Sequence, residues 1–235
     1  MSKIKFSAHP DVLNSIPHPK PASKFIPSWY KSMGKEVQCP INELELVPTI
    51  KQCLPVRDLI TSGYIIPAWS DMHFKRDSEG VIRYTTRLSP RLQEEYSMGI
   101  AGHDKLQVKG TPLEAFCDKE KIVKLHNPWL IKTPSNYSCL MMSPFYDTKE
   151  YTVLPGIVDT DNHIVNTNFP IVITSNEVFI KKGDPIVQVI PFKRDSWTSE
   201  VDSYDLKEKH NSVMSVLTEI KSIYTTKLWN RKYYR

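Results

Sequence analysis

Between Lys132 and Arg194, short apolar runs alternate with turns built from Pro, Gly, Asn and Asp. Tyr137–Met142, Ile157, Ile171–Thr174 and Ile186–Pro191 each read as a strand, and Lys181-Lys182-Gly183-Asp184 reads as the turn between two of them. A chain punctuated this often cannot sustain long helices there, so a β framework is expected.

Upstream, residues 1–48 are proline-rich: His9-Pro10, Pro17-His18-Pro19, Pro21, Pro27, Pro40 and Pro48. Each proline removes a backbone donor and extends its predecessor. The expectation is an arm that wraps the core, with one short helix over Pro27–Met33. From Thr49 to Phe74 the pattern turns to strand, and Ser78-Glu79-Gly80 reads as a hairpin tip flanked by Phe74–Asp77 and Val81–Thr86. Residues 88–110 read as loop or short helix. After Asp202–Asp205, Val213, Val216, Leu217, Ile220, Ile223, Tyr224 and Leu228 recur at spacings of three and four, the mark of one helical face expected to pack on the body. The division is therefore 1–48 as arm, 49–197 as β-rich core and 198–235 as amphipathic helix and basic tail.

Charge and cysteine usage narrow the function classes. The net charge of +5 is mild, with much of the excess in Lys227–Arg235, where basic residues interleave with Trp229, Tyr233 and Tyr234. A tail docked on the protein is the favoured reading over a nucleic-acid strip, so nucleic acid is not an expected partner. No window approaches the ~18 apolar residues of a membrane span. Met1–Phe6 lacks a long apolar run, so a soluble protein of the host cytoplasm is expected, with a place in a virion left open. Cys39, Cys53, Cys117 and Cys139 contain no C-x-x-C pair and read as small, reduced, buried side chains.

Two aspartates, Asp159 and Asp161, lie two residues apart, and strand geometry would put both on one face. They could serve as an acid/base pair or a metal clamp. Equally, Asp159-Thr160-Asp161-Asn162-His163 has the composition of a self-bonding turn. Asp71-Met72-His73 and Asp161-Asn162-His163 repeat one D-x-H spacing. Were they neighbours, Asp71, His73, Asp161 and His163 could make an open site for iron or another divalent ion, with His103 and Asp104 as further members. Tyr137, Trp129 and Trp69 could line a pocket or simply fill the core. No cofactor is named by any motif.

Asn127-Pro128-Trp129-Leu130-Ile131-Lys132-Thr133-Pro134, Gly156–Asp161, Gly183-Asp184-Pro185-Ile186, Cys53-Leu54-Pro55 and Gly63-Tyr64 resemble an uncharacterised family of bacteria and tailed phages, including phages of marine cyanobacteria. That resemblance brings no established activity. More distantly, Gly156–Asp161 is similar to the Gly-Val-Ile-Asp-x-Asp-Tyr-x-Gly motif of trimeric dUTPases. Val178–Val189 is similar to the Lys-Lys-Gly-Asp-x-Ile-Ala-Gln-Leu segment after it, and Pro134–Ser143 to the segment ending in Pro-Arg-Ser-Gly. The similarity implies a dUTPase-like, β-clip-type antiparallel framework, shared with dCTP deaminases, within an α+β, mainly β fold. It implies Asp159 and Asp161 as the catalytic corner, Tyr137, Ser143 and Gln188 as ligand contacts, a nucleotide as ligand, and a homo-oligomer with shared sites. Departures are plain: Asn162 stands at the Tyr place, Ile164 at the closing Gly, Met142 at the Arg and Pro144 at the Gly, with no glycine in Lys227–Arg235 to close over a triphosphate. Phosphoryl chemistry needs such cations and backbone donors, so dUTPase activity is not expected. The expected function is binding of a small ligand, a nucleotide for instance, beside Asp159 and Asp161; a metal-dependent enzyme and a virion or assembly protein are the alternatives.

Overall fold

The structure, a computed structural model, describes residues 2–96, 98–116, 121–145, 150–218 and 229–235. In chain order the first strands are β1 (Lys5–Ser7), β2 (Lys20–Pro21), β3 (Glu36–Gln38), β4 (Leu46–Pro48), β5 (Tyr64–Pro67), β6 (Met72–Arg76), β7 (Ile82–Thr86) and β8 (Ile100–Asp104). They are followed by β9 (Lys121–Leu125), β10 (Leu130–Lys132), β11 (Tyr137–Met142), β12 (Tyr151–Val153), β13 (Gly156–Val158), β14 (Phe169–Ile173), β15 (Glu177–Ile180) and β16 (Pro185–Lys193). The α-helices are α1 (Pro10–Leu13), α2 (Ser28–Ser32), α3 (Leu54–Thr61), α4 (Pro90–Glu94) and α5 (Leu206–Thr218). Short helices among many antiparallel strands make the fold mainly β within the α+β class.

The chain divides into two compact units: residues 1–33, 59–194 and 234–235 form the first, and residues 34–58 and 195–233 form the second. The first unit holds a five-stranded sheet in the order β13-β11-β16-β5-β2, a four-stranded sheet β12-β14-β9-β8 and a three-stranded sheet β15-β6-β7, besides the β1-β10 pair. Every pairing among them is antiparallel. Its core draws Ile186, Val187 and Val189 from β16, Phe74 and Met72 from β6, Val178 and Ile180 from β15, and the large rings of Trp69 and Trp129. Both tryptophans thus fill the core rather than a pocket. Trp69 donates its indole N–H to the Met98 carbonyl at 2.8 Å.

The N-terminal residues, expected as a wrapping arm, enter this body directly. β1 pairs with β10, matching Phe6 to Ile131, and Val12 and Ile16 are buried in the core. The short helix expected over Pro27–Met33 forms as α2, with Pro27 at its N-cap position. The expected hairpin also forms: Asp77 accepts from the backbone N–H of Glu79 and Val81, and Gly80 takes φ of 82° at the tip.

Two expectations fail here. The strand pattern expected from Thr49 contains helix α3 instead. Pro55 sits in its first turn, where no N–H is needed, while Val56 and Ile60, four residues apart, are both buried on one face. Residues 88–110, expected as loop or helix, also hold β8, an edge strand whose Gly102, His103 and Asp104 hide the apolar alternation.

The second unit contains the β3–β4 pair and α5. Leu206 and Val213 of α5 remain exposed and do not join the core, contrary to the expected docking of that face. Ile220, Ile223, Tyr224 and Leu228 of the same expected face, and Cys117, lie outside the described residues, as do the side chains of Val216 and Leu217. Trp229 donates to Asp58 at 2.8 Å, Lys232 reaches the same carboxylate at 2.6 Å, and the Arg57 guanidinium lies over the Trp229 ring. This part of the tail is folded onto protein. Cys139 is buried as expected, but Cys53 is exposed. Among the described residues, no helix is long and apolar enough to cross a membrane.

The turn from α3 into β5 rests on Gly63. Its φ of 69° is left-handed, and a Cβ there would lie 2.0 Å from the Val189 carbonyl oxygen. Gly63→Ala is therefore expected to destabilise the protein by at least ~2 kcal/mol, read as a lower midpoint in urea unfolding. An unchanged midpoint would contradict the close approach of this turn to β16.

Candidate functional site

The acidic corner is assembled, but by a cation that makes it a clamp. β11 lies between β13 and β16, so the loop after β13 meets the far end of β16. There Arg194, read from sequence as a solvated charge, turns inward. Its two terminal nitrogens bond the Asp161 carboxylate at 2.9 and 2.5 Å, and one approaches Asp159 at 3.1 Å. Asn136, in the left-handed region at φ of 70°, adds its backbone N–H to Asp161 at 2.9 Å. The buried Ser138 hydroxyl donates to Asp159 at 2.6 Å.

Burial separates the two carboxylates. The Asp161 side chain is only 6% exposed, whereas that of Asp159 is 60% exposed. Hydrogen bonds from Arg194 bring the Asp161 pKa down from 3.8 to about 2. The Ser138 hydroxyl bond, with help from Arg194, also holds Asp159 below its ordinary value. A carboxylate stabilised this strongly in its charged form is a poor proton acceptor.

The loop itself is a turn of the self-bonding kind. The backbone N–H groups of Asn162 and His163 both donate to the Asp159 carbonyl. Thr160 is fully buried between the two aspartates, with its hydroxyl 2.7 Å from that of Thr133 and 3.3 Å from Cys139 Sγ. Burial pushes the Cys139 thiol pKa up, which removes it as a nucleophile at neutral pH.

The three expected ligand contacts serve structure. Gln188 is buried, donates to the carbonyls of Leu59 and Ser62 at 2.8 Å each, and accepts from the Phe145 N–H at 3.2 Å. It thereby pairs carbonyls that the end of α3 leaves open. Ser143 accepts from the Val153 N–H at 2.8 Å, and the Tyr137 hydroxyl accepts from Ser2 at 3.1 Å.

The D-x-H set is not brought together: among the described residues, no group of three or more His, Cys, Asp or Glu could hold a metal ion. Asp71 instead accepts from the Lys182 N–H at 2.8 Å, and His73 Nε2 lies 2.8 Å from Glu177 across the β6–β15 ladder. His163 gives its carbonyl to Lys132 Nζ at 2.7 Å. Asp104 caps a short 3-10 turn through the Leu106 N–H, and His103 sits on β8 opposite Ile122.

A concave site does exist, on the outward face of the three-stranded sheet. Antiparallel register sets Phe179 beside His73 and His73 beside Thr85. One step along, Arg87 and Lys181 flank Asp71 at the mouth of a cleft of about 460 Å³, a size within the range of small-ligand pockets. The inward residues Met72, Phe74, Val178 and Ile180 are buried, which fixes the sheet on the core. The rings of His73 and Phe179 are stacked, with centroids 4.0 Å apart and planes within 4°. Phe179 stays 65% exposed. The alternation Glu177-Val178-Phe179-Ile180 already marks an outward aromatic, but nothing local in the sequence points to His73 or Arg87 as its neighbours.

Two outcomes test this division of roles. Asp161 has a depressed folded-state pKa, so its stabilising contribution is present above its ordinary value of 3.8 and is lost as pH falls toward about 2. The stability gap between wild type and Asp161→Asn should be full at neutral pH and should close over that window in pH-dependent thermal melts. A gap constant down to pH ~2 would contradict the clamp. Gln188→Leu should cost about 1–3 kcal/mol in denaturant unfolding, because it strands buried carbonyls; a neutral result would restore Gln188 as a candidate ligand contact.

In comparison with known proteins, no family model matches the chain and no curated protein matches it either.

Proposed function

We propose that this protein binds a small, flat, anionic ligand, a nucleotide above all, in the cleft on the outward face of β15, β6 and β7. The observation that carries the reading is the exposed Phe179 ring, backed by a stacked His73 that Glu177 anchors. An exposed aromatic held rigid from behind offers a low-entropy platform for a base, and stacking of this kind contributes about 1–3 kcal/mol per base. Arg87 and Lys181 supply cationic groups at the same mouth, suited to phosphate oxygens.

The charges along the rest of this face favour a small ligand over a polymer. Arg83 is bonded to Asp77 at 2.9 Å, and Lys75 lies 3.6 Å from Glu177. The cations that would extend a phosphate track beyond the cleft are therefore neutralised, while the Arg87 side chain, 3.4 Å from Asp71, is among the most exposed on the sheet. Binding near Asp159 and Asp161 finds no such support, since Arg194 is already taken up by both carboxylates.

Isothermal titration with mono- and triphosphate nucleotides tests the reading. The expected result is saturable binding that Phe179→Ala weakens at least ~10-fold and Arg87→Ala weakens further for triphosphates than for nucleosides. No heat with any nucleotide, or equal affinity in wild type and Phe179→Ala, would overturn it. Both side chains are solvent-facing, so the variants should melt within a few degrees of wild type.

A further inference from the structure

The second unit carries apolar side chains that stay exposed among the described residues. β3 and β4 pair antiparallel, setting Val37 opposite Val47, and form a sheet of two strands only. At the tip, Ile41 is 94% and Leu44 98% exposed, and Leu46 and Val37 are exposed as well. A lone two-stranded hairpin is marginal in water, and exposed apolar clusters mark contact surfaces. In the same unit, Leu206 and Val213 of α5 are exposed. Seven residues apart, they share one helical face, with Lys209 between them at spacings of three and four. A thirteen-residue helix draws most of its stability from packing such a face.

The two surfaces suit each other. The hairpin tip alternates acid with apolar residues, Glu43-Leu44-Glu45-Leu46, while the start of α5 carries Lys207 and Lys209 around Leu206. Apolar side chains meet apolar ones, and opposite charges ring them. Each chain presents both surfaces, and both remain open to solvent.

We propose that the β3–β4 hairpin of one copy packs on α5 of a second copy, and reciprocally, to form a two-fold dimer. Such an exchange makes two identical contacts, as two-fold symmetry requires. This interface is separate from the nucleotide cleft.

Sedimentation equilibrium of the full chain at ~1–100 µM, a range that spans micromolar dissociation constants, tests the proposal with Leu44→Asp and Val213→Asp. Wild type should have twice the chain mass, and each variant should be monomeric with unchanged circular dichroism. Mixing the two variants should restore association, because the mixed pair retains one contact with both faces intact. A monomeric wild type would overturn the proposal and give these surfaces to another partner. Failure of the mixture to associate would also overturn it, favouring hairpin against hairpin, and persistence of the dimer in both variants would place the interface elsewhere.

Discussion

The rest of the first unit depends on the burial of β16. This nine-residue strand is paired along both edges, to β11 on one side and β5 on the other. Ile186, Val187 and Val189 are fully buried, and each such side chain contributes roughly 1.5–3 kcal/mol. Gln188 sits among them at 1% exposure and is tolerable there only because its amide meets two carbonyls and one N–H. The strand's ends then position everything else. Before it, the Lys181–Asp184 turn closes through the Asp184 carboxylate and Gly183, fixing where β15 and its Phe179 must lie. After it, Arg194 emerges against the acidic loop that follows β13.

The acidic pair therefore acts in architecture. Its Asp-x-Asp spacing is the one that the resemblance to dUTPases singles out, and the fold does bring both carboxylates to one place. What fills the space between them is an arginine from the same chain. That substitution of an internal cation for an external ligand explains how the local turn can persist while the cationic and glycine positions needed around a triphosphate are absent. On the proposed function, ligand recognition passes to a different surface, where an aromatic stack and two cations converge.

Local chemistry makes much of the framework legible. Alternation marks Tyr137–Met142 and the two arms of the Ser78–Gly80 hairpin, and turn residues mark Lys181–Asp184. Helix α3 reads as strand because Leu54, Val56 and Ile60 mix spacings of two and four, and because Pro55 breaks a helix everywhere except in its first turn. β8 escapes a pattern reading because an edge strand needs few apolar residues. The cleft is harder to read for a physical reason: His73 and Glu177 lie 104 residues apart and meet only through the β6–β15 register. Arg194 is likewise 33 residues from Asp161. Pairings over such distances follow from which strands become neighbours, and no local spacing encodes that.

The most direct test of nucleotide binding at the β15-β6-β7 face is a two-dimensional amide NMR titration of the isotopically labelled full chain. Shifts should concentrate on His73, Thr85, Arg87, Phe179 and Lys181, while the amides of Asn136, Asp159 and Asp161 stay in place. Shifts confined to those three, with the Phe179 face unmoved, would contradict binding at that cleft and return the ligand to the acidic corner.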